Sequence, residues 1–272
     1  MKNLSNKRII VSGAVGRMGK TICKMVINEN DYELVGAVDV TKQGNDIFDL
    51  LGIDSKKELY INGDLVQEIN DKQADVVIDF TNPEVVMNNI EKVLKTQTKM
   101  VVGTTGFDQA DLKQVRKWAD EYETSIMIAP NFALGAVMMM EFSKKAAQFF
   151  KQAEIVELHH DGKIDAPSGT AVKTAEMISE SREKPKEKVN KKFIEKLKGA
   201  RGAKLDDIHI HSVRLQGLVA HQEVIFGGEG QTLKIRHDSI DRQSFMPGIK
   251  LAVNKIEELD GLVYGLDEIM DI

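Results

Sequence analysis

Through its first 130 positions the chain repeats one pattern: a short apolar run, a turn, then a segment of helical period. The runs are Arg8 to Ser12, Glu33 to Asp39, Ala74 to Phe80, Lys99 to Gly103 and Thr124 to Ala129. Near-continuous apolar text of this length predicts strands buried on both faces. The intervening segments predict helices over Lys20 to Asn28, where Ile22, Met25 and Val26 share one face, over Glu84 to Leu94, and over Asp108 to Glu121. Strands alternating with helices in this way form a parallel sheet with helices on both sides, an α/β architecture.

After Pro130 the pattern changes. A helix rich in methionine is predicted over Ala133 to Phe150, with Val137 to Met140 read as core. A strand over Glu154 to His160 and a helix from Ser168 to Ser181 follow. The stretch from Lys184 to Lys204 is dominated by lysine and reads as an exposed, helix-like excursion. Three strands are then expected, Ile208–Leu215, Val219–Phe226 and Leu233–His237, with Gly227 to Gly230 as the hairpin turn between the last two. Strands in succession without helices predict antiparallel pairing, so this part is an α+β domain with a mixed or antiparallel sheet. From Arg242 the text turns helical again, over Gly248 to Leu259, and returns to the first domain. A length of 272 residues suits two domains. Their expected extents are 1–131 with 242–272, and 132–241.

Composition removes several classes of function. The net charge of −5 gives no basic field for nucleic acid. No run approaches the ~20 apolar residues of a membrane span. The polar opening from Met1 to Arg8 leads straight into a strand, which leaves no room for a signal peptide. A single cysteine, Cys23, cannot form an internal disulfide and fits a reducing, cytoplasmic location.

Gly13-Ala14-Val15-Gly16-Arg17-Met18-Gly19 lies between the first strand and the first helix. A dinucleotide pyrophosphate binds at such a place, where backbone N–H groups and the positive helix end meet the phosphates. The sequence departs from the G-x-G-x-x-G fingerprint: Val15 and Met18 stand at its second and third glycines, with Gly16 and Gly19 read as supplying flexibility. Asp39, at the end of the next strand, is positioned to accept hydrogen bonds from an adenine ribose. Its carboxylate repels a 2′-phosphate and favours NADH, whereas Lys42 can neutralise one, so NADH and NADPH both stay open. Two more turns, Gly103-Thr104-Thr105 and Ala129-Pro130-Asn131-Phe132, follow strand ends on the same edge and can flank the nicotinamide.

All six histidines come after residue 158. His209, His211, His221 and His237 fall in strand text, and the absence of nearby cysteine or carboxylate ligands in sequence argues against a metal. The segment E-L-H-H-D-G-K-I-D-A-P-S-G-T-A, Glu157 to Ala171, is different. It sets His159, His160 and Lys163 just ahead of Ser168, a good helix N-cap. The backbone N–H groups at Ser168, Gly169 and Thr170 then form the start of a helix, suited to a carboxylate or phosphate. Acid–base groups beside anion donors describe a socket for an anionic substrate.

This segment, together with V-S-G-A-V-G-R-M-G-K, V-G-T-T-G-F, A-P-N-F and the run from Val213 to Pro247, resembles the 4-hydroxy-tetrahydrodipicolinate (dihydrodipicolinate) reductases of the diaminopimelate route to lysine. The resemblance spans essentially the whole chain. It implies a Rossmann-type dinucleotide-binding domain completed by the C-terminal helix, a central substrate-binding domain, and a homotetramer assembled through the central sheets. It implies NADH or NADPH as cofactor and a small dicarboxylate as substrate. Carried over, His159 is the acid–base residue and Lys163 a second proton donor. His160, Gly169 and Thr170 hold the substrate carboxylates. Gly13 to Met18, Asp39, Gly103 to Thr105 and Ala129 to Phe132 bind the cofactor, with Arg242 and Phe245 approaching it. Two rival readings are another nucleotide-dependent reductase, which in its thioester-forming kind needs a nucleophilic cysteine, and a non-catalytic NAD(H) sensor, which would need the glycine turn but not His159 and Lys163.

Overall fold

A computed structural model describes residues 6–182 and 194–272. The chain divides into two units, Met1–Phe132 with Phe245–Asp271, and Ala133–Ser244.

In the first unit the strands are β1 (Lys7–Ser12), β2 (Tyr32–Val38), β3 (Val76–Asp79), β4 (Lys99–Val102) and β5 (Ile126–Ile128). They alternate with α1 (Arg17–Asn28), α2 (Ile47–Leu51), α3 (Leu65–Lys72), α4 (Pro83–Lys95) and α5 (Gln109–Glu121). Every strand pair is parallel, and all residues of β3 and β5 are buried, as unbroken apolar text requires. Ile10, Val77, Met100 and Ile126 share a core with Ile69 of α3, Ile90 of α4 and Val115 of α5. Residues of the other parity, Ile9, Val11, Val101 and Met127, are equally buried, on the side packed by α1 and the C-terminal helix.

The second unit opens with α6 (Leu134–Ala147), then β6 (Gln152–His159) and α7 (Gly169–Glu180). It continues with β7 (Ala203–Leu205), β8 (Ile208–Arg214), β9 (Ala220–Gly228) and β10 (Gln231–Ser239). The chain then re-enters the first unit with α8 (Met246–Lys255) and β11 (Leu262–Tyr264), which joins the edge of the parallel sheet beside β5. That sheet runs β11-β5-β4-β3-β1-β2. A Cβ on Gly248 of α8 would lie 2.0 Å from the Phe132 carbonyl oxygen, so only glycine lets α8 dock this closely.

Four elements absent from the sequence reading are α2, α3, β7 and β11. Asp46 and Asp64 cap α2 and α3, Asp64 accepting from the N–H groups of Val66 and Gln67. The second sheet, β10-β9-β6-β8-β7, corrects the expectation of simple antiparallel succession. β8 and β9 are consecutive in sequence but do not pair; both flank β6, and β6 with β8 is parallel. A parallel pair needs a crossover, and α7 supplies it. The glycine cluster also narrows. Gly227 and Gly228 belong to β9, and the turn is Glu229-Gly230 alone, with Gly230 at φ +69°. Of the lysine-rich stretch, residues 184–193 lie outside the described residues. Residues 194–202 are turns and bends rather than helix, and the edge strand β7 follows. α6 and α7 cover one face of this sheet, where Ala147, Ile155, Ile178, Ile210 and Phe226 form the core.

Candidate active site

The glycine turn closes β1 and opens α1. Gly13 and Ala14 donate to the Val38 carbonyl at 2.9 and 3.1 Å, which folds the turn back against β2. Left-handed backbone is needed only at Gly13, at φ +78°. Gly19 is required for another reason than flexibility. A Cβ there would sit 2.0 Å from the Gly13 carbonyl oxygen, so its hydrogen lets the helix press onto the turn. Gly16 is the N-cap of α1, no side chain caps the helix, and no acidic residue occupies its first turn. The N–H groups at Arg17 and Met18 thus start a helix with its positive end undisguised. This suits a pyrophosphate.

The other predicted cofactor residues lie on the same carboxyl edge. Asp39 follows β2 and accepts from the Val15 N–H at 3.1 Å and from the Thr41 N–H and hydroxyl at 2.9 and 2.7 Å. Its carboxylate therefore stands against the glycine turn. Lys42, also left-handed at φ +59°, is exposed. Gly103 donates to the Asp79 carbonyl, and Thr104 is buried with its hydroxyl 3.3 Å from the Asp79 carboxylate, while Thr105 is exposed. Ala129 donates to Val102, and Pro130 and Asn131 follow at the surface and partly buried. The Phe132 ring is buried against Phe80, with centroids 5.7 Å apart, so a ligand at that turn meets backbone rather than a stacking ring. Asp79, fully buried, was not foreseen. It also accepts from Thr81 and Asn89, and so ties the loops after β3 and β4 together. Cys23 is buried in α1 with its thiol pushed up to about 12 by desolvation, which removes it as a nucleophile.

In the second unit the histidine segment gathers around a residue the sequence reading gave no role. Glu157 lies on the inward parity of β6, with Ala153, Ile155 and His159. Its side chain is 0% exposed. Arg214, at the end of β8, grips it with two parallel hydrogen bonds at 2.8 and 2.9 Å. His159 Nδ1 approaches Oε2 at 2.5 Å, and the Ser168 N–H donates to Oε1 at 3.3 Å. Burial alone would raise the Glu157 carboxyl. Arg214 above all, then Ser212 and His159, outweigh it and hold Glu157 below the ordinary carboxylate value. It is an anion inside the fold.

His159 itself is held below the usual imidazole range, because burial outweighs the opposing pull of Glu157, and Lys163 and Arg214 add to the depression. His160 is exposed just past the strand end. Lys163 is paired with Asp165 at 2.6 Å, its side chain 23% exposed. Arg214 also donates to the Asp165 carbonyl at 2.7 Å and so pins the loop that carries Lys163. Ser168 caps α7, accepting from Ala171. A Cβ on Gly169 would meet nothing within 4 Å, so the approach to the Gly169 and Thr170 N–H groups is open. His159, His160, Lys163, Gly169 and Thr170 thus belong to one corner of the second unit. Arg242 is exposed in a short 3-10 helix at the end of this unit, and Phe245 begins the return to the first. His209 and His211 are engaged by the Arg201 carbonyl and Glu154.

Comparison with known proteins covers both units. The family description "Dihydrodipicolinate reductase, N-terminus" matches residues 7–132, and "Dihydrodipicolinate reductase, C-terminus" matches residues 135–270. A 4-hydroxy-tetrahydrodipicolinate reductase of Syntrophomonas wolfei is 48% identical over 97% of this chain and 98% of its own length. One from Bacillus cereus has the same identity and coverage. Among solved structures, a dipicolinate-bound dihydrodipicolinate reductase from Paenisporosarcina sp. TG-14 superposes with a TM-score of 0.86 at 42% identity, covering 97% of this chain and all of that one.

Proposed function

The chain belongs to the dihydrodipicolinate reductase family, and on that premise we propose how its own residues divide the work. The reaction is the NAD(P)H-dependent reduction of 4-hydroxy-tetrahydrodipicolinate to tetrahydrodipicolinate, with loss of water, in lysine and diaminopimelate biosynthesis. Residues 1–131 with 242–272 carry the cofactor, and 132–241 carry the substrate. Gly13 to Met18 take the pyrophosphate, and Asp39 takes the adenine ribose. The turns at Gly103 to Thr105 and Ala129 to Phe132 border the nicotinamide, with Arg242 and Phe245 beside it. When bound, the reduced nicotinamide supplies a hydride to one ring carbon of the substrate.

The substrate is a dicarboxylate. His160 and the N–H groups of Gly169 and Thr170 hold its carboxylates at the start of α7, which carries positive potential and no acidic residue in its first turn. His159 delivers the proton that the electron-rich enamine needs on the neighbouring carbon. In the free protein its imidazole is biased toward the neutral form by burial. A dianionic ligand beside it favours the charged form, so substrate binding itself loads the proton. Lys163 is the second donor. A substrate carboxylate competes with Asp165 for its ammonium and draws it to the ring. The observation that carries this reading is the meeting of His159 and the cap of α7 on one buried carboxylate, Glu157, whose partner Arg214 also holds the loop that carries Lys163.

The direct test is thermal. Pyridine-2,6-dicarboxylate, an aromatic diacid with the same ring skeleton and carboxylate positions as the product, is expected to raise the melting temperature in the presence of NADH, since a ligand at ~100 times its Kd stabilises the native state by about 2.7 kcal/mol. No shift at millimolar ligand would remove the substrate assignment.

Assembly as a homotetramer is part of the same reading. The face of the second sheet turned away from α6 and α7 keeps Val156, Leu158, Val213 and Ile225 only partly covered. Sheet-on-sheet packing with other copies would bury them. Sedimentation equilibrium is expected to return four times the chain mass, and a monomer at micromolar concentration would exclude the tetramer. A cytoplasmic location fits the lone, buried Cys23, and among the described residues no helix is long and apolar enough to cross a membrane.

A further inference from the structure

We propose that Glu157 is the positioning residue of this reaction: one buried carboxylate holds the His159 ring by Nδ1 and the start of α7 by the Ser168 N–H, fixing the proton carrier and the anion socket together. The inference rests on the assignment of His159 as proton carrier.

The geometry carries it. Both oxygens of Glu157 are used: Arg214 bonds to each, the His159 ring and the Ser168 N–H take one apiece, and the Ser212 side chain adds to the hold. Oε1 serves Arg214 and Ser168, and Oε2 serves Arg214 and His159. A structural ion pair needs only the arginine. The second acceptance at each oxygen is what a simple Glu157–Arg214 pair leaves unexplained. Glu157 is not an acid–base group in its own right, because it has no exposed surface and its oxygens are occupied by donors.

The consequence for His159 is chemical. With Nδ1 against a carboxylate, the neutral ring must carry its hydrogen on Nδ1 and leave the Nε2 lone pair free. That is the nitrogen left to take up a proton and pass it to a substrate carbon. Rotation of the ring would break the Nδ1 contact, so the Nε2 direction is set by Glu157. The Leu215 N–H donates to the His159 carbonyl at 3.0 Å and holds the backbone beneath.

The charged groups facing His159 are few. They are Glu157 on its own strand, Arg214 registered beside it on β8, and Lys163 with its partner Asp165 on the following loop. On β9 the residues registered beside Glu157 and His159 are Gln222 and Ala220, and α7 buries Ala171, Thr174, Ala175 and Ile178; none is charged. Glu157 is therefore the one anion in contact with the ring among the described residues. It favours the imidazolium, while Arg214 and Lys163 oppose it.

The test is a pH profile within a double-mutant cycle. Glu157→Gln removes the charge and keeps the size. A general acid is active below its pKa, so kcat/KM falls as pH rises through that of His159. Loss of Glu157 lowers that pKa, and the limb is expected to move to lower pH by about half a unit or more, with kcat reduced about tenfold or more. In a His159→Gln background the same Glu157→Gln change is expected to alter kcat by less than about twofold, because its effect on the proton step acts through the missing ring, while its hold on the Ser168 N–H shows in KM for the substrate. An unmoved limb, or an additive loss in the double variant, would overturn the proposal while leaving His159 in place. Normal turnover by His159→Gln alone would overturn the assignment of His159 and this proposal with it. If Glu157→Gln does not fold, 15N NMR of the unmodified protein decides. The neutral His159 ring is expected to be protonated at Nδ1, and a hydrogen on Nε2 instead would end the idea.

Discussion

Replacement of His159 by glutamine is expected to lower kcat by ~100-fold or more while the protein still folds and still binds pyridine-2,6-dicarboxylate. Glutamine keeps polar atoms near Glu157 but has no proton to transfer at any ordinary pH. The fold should survive because Glu157 keeps its two bonds from Arg214 and the one from Ser168. Binding should survive because, on the proposed assignment, the socket for carboxylates is built from His160 and the start of α7, not from the His159 ring. A loss confined to kcat is the signature of an interaction made only as the proton moves. Stopped-flow or steady-state measurement of NADH oxidation, with the melting temperature recorded alongside, checks it. Turnover within a few-fold of the parent protein would strip His159 of its role.

Arg214→Ala should have the largest effect on stability. Arg214 contributes two of the donors to a carboxylate with no exposed surface. Removing it leaves a buried charge without its counter-ion, and breaking such a pair typically costs about 3 kcal/mol or more. The pH dependence has a definite sign. In the parent protein the Glu157 carboxyl is held below its ordinary value, so the stabilisation it provides is present above the unfolded carboxyl pKa and is lost as pH falls through the folded one. The deficit of Arg214→Ala is therefore expected to be full at neutral pH and to shrink in acid, where Glu157 is protonated in both proteins. Calorimetric unfolding between neutral and acid pH measures this directly. A deficit that stays below about 1 kcal/mol at neutral pH would mean that water replaces the guanidinium and that the site is not dry.

The first unit was largely legible because burial on both faces of a parallel strand leaves a mark in the text itself. Val76 to Asp79 can be read as a strand with no knowledge of its neighbours. β11 cannot. Its three residues become a strand only through register with β5, Leu262 opposite Ile126. α2 and α3 are short and rest on the aspartate caps Asp46 and Asp64 more than on any long apolar stripe. In the second unit β6, β8 and β9 show a similar alternation, so pairing order leaves no trace in composition or period. It is set by α7 carrying the chain from β6 over to a parallel β8.

The candidate site divides along the same line. The residues proposed for acid–base work and anion binding, from His159 to Thr170, are close in sequence, so the proposal could be made from the sequence. Glu157 and Arg214 carried a fainter signal, as charged residues on the inward parity of their strands, in step with Ile155 and Ile210. Their meeting is another matter. They stand 57 positions apart, and a bidentate pair forms only because the parallel register of β6 and β8 sets Arg214 beside His159 and Ser212 beside Glu157. Local residue chemistry was thus enough to point to an anionic ligand with a proton source beside it, while the reaction itself came from the family resemblance. Which carboxylate steadies the histidine was left to the fold, because strand register is a property of two distant segments at once and neither one encodes it alone.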